Sequence, residues 1–166
     1  MLFRSLADPN PVLFFEHKML YRSVSGDVPT GYYTVEIGKA TTMQLGKAAS
    51  IITYGMGVHW AQKVTAELGA DVEIIDLRSL QPLDYEAIEA SVKKTHRALV
   101  LHEDTLTGGV GGEIAAYISE HLFQHLDAPV LRVASLDTPV PFEPTLEQNF
   151  MPLERLKKQL VKLLHY

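Results

Sequence analysis

The hydrophobic pattern from residue 48 onward alternates short apolar runs with stretches in which apolar residues recur every three or four positions. The runs have no clean polar face, which predicts parallel strands that are covered on both sides. These predicted strands are 48–54, 72–77, 98–101 and 130–133. The spaced repeats predict amphipathic helices between them. Such alternation favours an α/β fold of three layers, α/β/α, around a mostly parallel sheet.

The helix boundaries also follow from the residue types. Val58 to Leu68 has helical spacing and is followed by Gly69, which predicts a helix end. Asp84 is expected to cap the next helix, because an aspartate oxygen accepts a hydrogen bond from a free amide of the first turn. The last helix is predicted to open at Pro152 and to align five leucines.

Residues 1–47 do not show this regular alternation of apolar runs and helical repeats. Leu2 to Ala7 is typical of the tail of a helix, and Pro11 to Phe15 predicts a buried strand. Turn-forming residues then fill a connector that extends from Ser23 to Gly31. We expect residues 1–22 to pack on the rest of the chain, to pack on a second copy, or to be partly disordered. Limited proteolysis distinguishes packing, which resists cleavage, from disorder, which does not.

Composition narrows the functional classes. Apolar residues make up 46% of the chain and charged residues 21%, which is typical of a core-forming globular protein. The formal charge of −5 and the scattered basic residues argue against a nucleic-acid partner. No apolar run approaches the roughly 20 residues that span a bilayer, so no membrane partner is expected. Cysteine is absent, which excludes disulfides, and a cytoplasmic location is the default expectation.

Two glycine-rich turns are candidates for anion binding. The turn at residues 107–113, between a predicted strand and its helix, could bring backbone amides to a phosphate. It lacks the order of a nucleotide fingerprint, so packing is the favoured interpretation: Gly108 and Gly109 would permit an unusual turn, and Gly111 and Gly112 a close approach to another backbone. Residues 55–60 also begin like a dinucleotide fingerprint, but Trp60 occupies the place of the third glycine.

The remaining candidates are polar side chains. His121 and His125 lie one helical turn apart, but a third metal ligand is missing, and a helix carboxyl terminus is the favoured interpretation. Glu103 and Asp104 leave the carboxyl end of a predicted strand and are either an acid/base pair or, as we favour, interface contacts. The basic stretch from Arg155 to Lys162 is interpreted as the solvated face of the last helix, with docking as the alternative.

Five motifs in order carry a family resemblance. Residues 8–22, DPNPVLFFEHKMLYR, resemble the stretch that closes the pyrimidine-binding domain in β subunits of the E1 component of 2-oxo acid dehydrogenases. The motifs at residues 53–59, 73–84, 102–114 and 137–141 resemble successive segments of the carboxy-terminal domain of the same subunits. The form of residues 14–22 is most like the branched-chain (2-oxoisovalerate) members, while pyruvate and acetoin dehydrogenases remain open.

This resemblance implies a fold and a division of the chain. It implies a transketolase carboxy-terminal fold with a mostly parallel five-stranded sheet. Residues 1–47 would be the tail of the pyrimidine-binding domain plus a connector, and residues 48–166 the carboxy-terminal domain. The complete enzyme of the family uses thiamine diphosphate and magnesium, decarboxylates a 2-oxo acid and transfers the acyl group to the lipoyl group of E2.

The chain has no counterpart of the family's cofactor-activating glutamate, of its active-site histidine or of its Gly-Asp-Gly…Asn metal-diphosphate motif. We therefore carry over no catalytic, cofactor-binding or metal-binding residue, and expect the isolated chain to be inactive. The resemblance implies three partners instead: the E1 α subunit, a second β subunit and the subunit-binding segment of E2. The expected interface residues are Arg78, Leu80, Pro82, Glu103, Asp104, Gly108, Gly109, Gly111, Gly112, Glu113, Asp137, Pro139 and Phe142. The alternative is a free-standing α/β domain that binds an anion or a nucleotide at the glycine-rich turn.

Overall fold

The computed structural model describes residues 2–166. Seven α-helices and five strands occur in this range, with a short 3-10 helix at Phe123–His125. The helices are α1 (Leu2–Leu6), α2 (Leu20–Ser23), α3 (Met56–Leu68), α4 (Tyr85–Thr95), α5 (Gly111–His121), α6 (Pro144–Phe150) and α7 (Leu153–Leu164). The strands are β1 (Thr41–Gln44), β2 (Ala49–Thr53), β3 (Val72–Asp76), β4 (Ala98–Thr105) and β5 (Leu131–Ser135). Over residues 2–166, no helix is long and apolar enough to cross a membrane.

The five strands form one sheet in the order β1-β3-β2-β4-β5. Strands β2 to β5 are mutually parallel where they pair, with Ile51 opposite Ile74 and Leu99, while β1 runs antiparallel to β3 at one edge. The predicted α/β/α architecture and its four parallel strands are thus confirmed. The hydrophobic pattern did not reveal β1, because its sequence, TTMQ, has no apolar run and an edge strand is half exposed.

One layer of helices covers the first face of the sheet. Helices α3 and α7 pack there on alternate strand residues such as Ile51, Ile74 and Leu99. The contacting side of α7 consists of Leu156, Leu160 and Leu163, which are fully buried. The predicted alignment of leucines is therefore what attaches the last helix to the sheet.

The other layer consists of α4 and α5, which pack on the residues of opposite parity. Ile88 and Val92 of α4 and Ile114 and Ile118 of α5 enclose a second core cluster. The carboxylate of Asp84 accepts a hydrogen bond from the Ala87 amide (3.2 Å), which confirms the predicted cap of α4. Because helices cover both faces of the sheet, the strands have no exposed polar face along most of their length.

A buried polar network also attaches α4 to the sheet. The hydroxyl of Ser91 donates to Glu73 Oε2 (2.6 Å) and lies 2.6 Å from the hydroxyl of Ser50. The second oxygen of Glu73 pairs with Lys94, whose ammonium group reaches solvent. A buried carboxylate is tolerated here because every one of its oxygens has a partner.

Two features of the sequence were interpreted wrongly. Residues 11–15 do not form a buried strand: they are exposed and pair with no strand of the described sheet. Arg155 is not part of the solvated face of α7, because its guanidinium donates to the carbonyl oxygens of Ala134, Asn149 and Phe150. Lys158 and Lys162 do face solvent.

Candidate assembly surface

The predicted interface residues converge on one edge of the sheet. Arg78–Pro82 follows β3, residues 103–113 run from the end of β4 into α5, and residues 137–142 follow β5. The carboxyl ends of parallel strands lie at the same edge of the sheet, so all three segments are there, with the end of β2 between the first segment and the second. We refer to these three segments together as the carboxyl-edge surface.

Asp137 connects two segments of this surface. Its Oδ1 accepts a hydrogen bond from the Thr107 amide (2.8 Å), and its Oδ2 accepts one from the Thr107 hydroxyl (2.6 Å). These two bonds hold the pKa of Asp137 below its usual range, because they stabilise the ionised form. The loops after β4 and β5 are thus fixed relative to one another.

Removing this carboxylate is expected to loosen both loops. In Asp137→Ala, the Thr107 amide should exchange with solvent deuterium several-fold faster than in the wild type, since both bonds are lost. A folded-state pKa below the unfolded value means that the link is complete at neutral pH and is lost as the pH falls through the folded value. Thr107 exchange at neutral pH that is the same in Asp137→Ala and wild type would contradict the assignment.

Arg78 has a strained backbone on the same surface. Its φ is 56°, although it is not glycine, and its side chain is exposed. The turn is held by its amide, which donates to Asp76 Oδ1 (3.1 Å), and by Ser79, whose hydroxyl accepts from the Gly38 amide (3.0 Å). Strain of this kind costs about 1–2 kcal/mol and often marks a functional position.

Glycine and alanine at position 78 should separate strain from side-chain loss. Arg78→Gly removes both the charge and the strain, whereas Arg78→Ala keeps a Cβ at positive φ. We expect Arg78→Gly to be more stable than Arg78→Ala by about 1 kcal/mol in urea unfolding. Equal stabilities of the two variants would show that the backbone is not strained.

The four glycines of the turn at residues 107–113 have different roles. Gly108 has φ 78°, as predicted for an unusual turn. A Cβ on Gly109 would lie 2.4 Å from the imidazole of His102, and one on Gly111 would lie 2.5 Å from it. The predicted close approach of Gly111 and Gly112 to another backbone is wrong, because Gly111 contacts a side chain and Gly112 has only Arg132 at 3.6 Å. The turn is therefore built around the ring of His102.

The same packing fills the Cβ side of this turn. The space next to Gly109 and Gly111 is filled by the His102 ring, which is fully buried. The carboxylate of Asp137 is hydrogen-bonded to the turn itself, where it opposes a second negative charge. A thiamine diphosphate does not fit these residues, and we derive no chemical step through it.

Glu103 and Asp104 have separate partners. Glu103 Oε2 lies 2.9 Å from the Nε2 of His17, while Asp104 Oδ1 accepts a hydrogen bond from the Thr105 amide (2.8 Å). His121 is the last residue of α5, as expected for a helix carboxyl terminus, and its ring stacks on Tyr117 at 4.5 Å. These polar residues make structural contacts.

The contact of His17 with Glu103 brings the start of the chain to the carboxyl-edge surface. Residues 10–15 and Arg78–Pro82 line one groove of about 970 Å³, together with Tyr54 and Asp76. Burial in this groove raises the pKa of the Asp76 carboxyl group. We call residues 2–36 the amino-terminal segment.

The amino-terminal segment exposes most of its large apolar side chains, and Phe15 is 87% exposed. The exposed apolar residues of this segment are Leu2, Phe3, Leu6, Val12, Leu13, Phe14, Phe15, Met19, Tyr21, Val24, Val28, Tyr32 and Tyr33. Phe142, in the carboxyl-edge surface, is completely exposed. Apolar exposure of this extent is typical of a surface that another protein covers. Sequence reasoning missed it, because it interpreted residues 11–15 as buried.

The comparisons with known proteins establish the family. The family model for Transketolase, C-terminal domain, matches residues 38–155. The chain belongs to the transketolase C-terminal domain family. The match begins at residue 38, a few residues before β1.

Its curated relatives are β subunits of two kinds of dehydrogenase. The chain is 43% identical over 155 residues to the 2-oxoisovalerate dehydrogenase subunit beta of Bacillus subtilis, covering 91% of this chain and 47% of that protein. It is also 43% identical over 151 residues to the pyruvate dehydrogenase E1 component subunit beta of Porphyra purpurea, covering 89% and 45%. The resemblance to E1 β subunits is thereby confirmed. The chain spans about half the length of the curated relatives that it matches.

A solved structure shows the same fold. The split-gene transketolase described as an inactive β4 tetramer matches with a TM-score of 0.68 at 24% identity, covering 84% of this chain and 46% of that chain. This match confirms the architecture.

Proposed function

We propose that the chain is the assembly domain of the E1 β component of a 2-oxo acid dehydrogenase, and that it holds the α subunit, a second β subunit and the subunit-binding segment of E2. The observation that carries the proposal is the exposed apolar amino-terminal segment, which lies beside the connected loops of the carboxyl-edge surface. The relatives support it, since both are named as β subunits of larger enzymes.

Our proposal divides the chain as the motifs suggest. Residues 1–47 would continue the pyrimidine-binding domain and connect it to the carboxy-terminal domain in residues 48–166. Strand β1 lies within the first range and the family match begins at residue 38, so the sheet itself starts before residue 48. The apolar side chains of the amino-terminal segment would then be covered partly by the rest of that first domain and partly by the partner subunits.

The assembled enzyme would use thiamine diphosphate and magnesium bound outside this chain. The filled space at the glycine-rich turn supports this part of the proposal. Titration calorimetry of the isolated chain with thiamine diphosphate and magnesium is expected to show no saturable binding. Saturable binding would contradict the proposal that thiamine diphosphate and magnesium bind outside this chain.

The expected substrate is a branched-chain 2-oxo acid, with pyruvate as the competing choice. The form of residues 14–22 supports the first, but the relatives with 43% identity include both enzymes. Assays of the assembled enzyme with 2-oxoisovalerate and with pyruvate would discriminate them.

Association with partners tests the proposal directly. The chain would be co-expressed with the α subunit and the remaining part of the β subunit of the Bacillus subtilis 2-oxoisovalerate dehydrogenase, and the complexes sized by chromatography with light scattering. We expect a heteromeric complex that Phe15→Asp weakens at least about tenfold, since a charge would be buried. Phe123→Asp is the matched control, because Phe123 is also exposed but lies after α5, away from the carboxyl-edge surface. Absence of a complex, or equal effects of the two variants, would contradict the proposal.

A further inference from the structure

The ring of His102 has an unusual environment. Among the seven histidines, all of which lie in the described range 2–166, His102 is the one classed as buried, with 0% of its surface exposed. Neither of its ring nitrogens has a hydrogen bond of normal geometry among the described residues, although the backbone of Asp104 acts weakly on the ring. A buried polar group without a partner costs free energy, and such groups are rare enough to require an explanation.

The glycine-rich turn encloses this ring. A Cβ on Gly109 would lie 2.4 Å from His102 Cε1, and a Cβ on Gly111 would lie 2.5 Å from His102 Nε2. The ring therefore lies directly under the first turn of α5, whose free amides carry positive partial charge. A protonated imidazole at this position would meet those amides at close range.

The charged groups around the ring act in both directions. Arg132 of β5 opposes a positive charge on His102, and the carboxylate of Asp104, at the end of β4, favours it. Glu113 is the acidic residue in the first turn of α5, and Glu103 is paired with His17. Burial is the largest influence and lowers the pKa of His102.

We propose that His102 is a pH-sensitive switch that keeps the glycine-rich turn closed while it is neutral and opens it when it is protonated. The ring reaches water only if Gly109 and Gly111 move away from it. Opening would displace residues 107–113 and the two bonds from Thr107 to Asp137. This inference rests on the proposed function in one respect: the turn belongs to the carboxyl-edge surface, so partner binding would weaken at mildly acidic pH.

The direction of the pH effect follows from linkage. The closed state disfavours the proton, while the open state binds it with the ordinary histidine pKa of about 6.5. The closed state is therefore fully favoured above about pH 6.5 and loses stability as the pH falls below it. One proton changes the ratio of open to closed turn by at most about tenfold per pH unit.

Hydrogen exchange of the full chain between pH 5 and 8 tests the switch. After correction for the intrinsic exchange rate, the open fraction for residues 103–113 should rise by up to about tenfold per pH unit below pH 6.5 in the wild type. In His102→Gln it should not depend on pH. His121→Gln is the matched control, because His121 is an exposed histidine at the far end of α5, the helix that follows the glycine-rich turn, and it should behave like the wild type. A wild-type turn with no pH dependence, or one whose dependence disappears in His121→Gln, would overturn the proposal.

A second measurement remains available if His102→Gln does not fold. In the wild type, nuclear magnetic resonance of the His102 ring should show protonation only together with loss of amide protection in residues 107–113. A ring that titrates with a pKa of about 6.5 while those amides stay protected would overturn the switch. Co-purification with the α subunit at pH 7.5 tests the proposed function separately, since neither measurement on the isolated chain requires a partner.

Discussion

Replacement of Leu160 by alanine is expected to lower the free energy of unfolding by about 2–5 kcal/mol, as for other fully buried leucines. Leu160 has no exposed surface and is one of the three leucines by which α7 packs on the sheet. Its removal leaves a cavity between the helix and strands that a rigid sheet does not fill. Urea unfolding followed by circular dichroism measures the loss. A stability of about 5–15 kcal/mol is usual for a domain, so the variant would lose a large fraction of it.

The adjacent residue of the same helix provides the control. Val161 is 37% exposed, so Val161→Ala should change the free energy of unfolding by less than about 0.5 kcal/mol. Similar losses in both variants would show that α7 is not attached through its leucine face. An unchanged stability in Leu160→Ala would show the same.

Replacement of Gly111 by alanine is the second large effect that we expect, with a loss of about 1–3 kcal/mol. The new Cβ would lie 2.5 Å from His102 Nε2 and 3.3 Å from a methyl of Val100. Neither neighbour has room to move, because His102 and Val100 are buried. Thermal or urea unfolding at neutral pH measures the loss.

Gly112→Ala is the matched control for this prediction. Its Cβ would lie 3.6 Å from the guanidinium of Arg132, an ordinary contact distance, and alanine is the better helix former. We expect Gly112→Ala to be neutral or slightly stabilising. A Gly111→Ala protein as stable as Gly112→Ala would refute the close packing of α5 on His102.

The fold could be predicted from the sequence where burial on both sides leaves a strong pattern. The strands β2, β3 and β4 are buried over most of their length and rich in apolar residues, and Asp84 marks the start of α4. The sequence analysis did not predict strand β1 or helix α6, for two different reasons. The edge strand has no apolar run, and no helix was predicted between β5 and Pro152, although Glu143 accepts a capping bond from the Leu146 amide (2.9 Å) and α6 opens at Pro144.

The candidate surface could be predicted only in part. The family resemblance named the segments after β3, β4 and β5 as interface candidates, and the parallel sheet explains why they lie at one edge. The sequence could not show that Asp137 bonds to Thr107, which lies 30 residues away, or that one ring explains both Gly109 and Gly111. The spacing of the glycines predicts a turn. The residue that each glycine contacts depends on how α5 packs on the sheet, which the spacing does not show.

The amino-terminal segment shows why residue type alone predicted a buried strand where none is formed. Pro11 to Phe15 is apolar enough for a core strand, and its side chains are nevertheless exposed in this chain. A strand needs a neighbour for its backbone hydrogen bonds as well as an apolar face.

Reconstitution of activity tests the central claim most directly. The chain, the α subunit and the remaining part of the β subunit would be mixed with thiamine diphosphate, magnesium and 2-oxoisovalerate, and carbon dioxide release would be measured with and without the chain. The account predicts decarboxylation only when all three proteins are present, with none from the chain alone. Decarboxylation by the chain alone, or an unchanged rate when the chain is omitted, would contradict it.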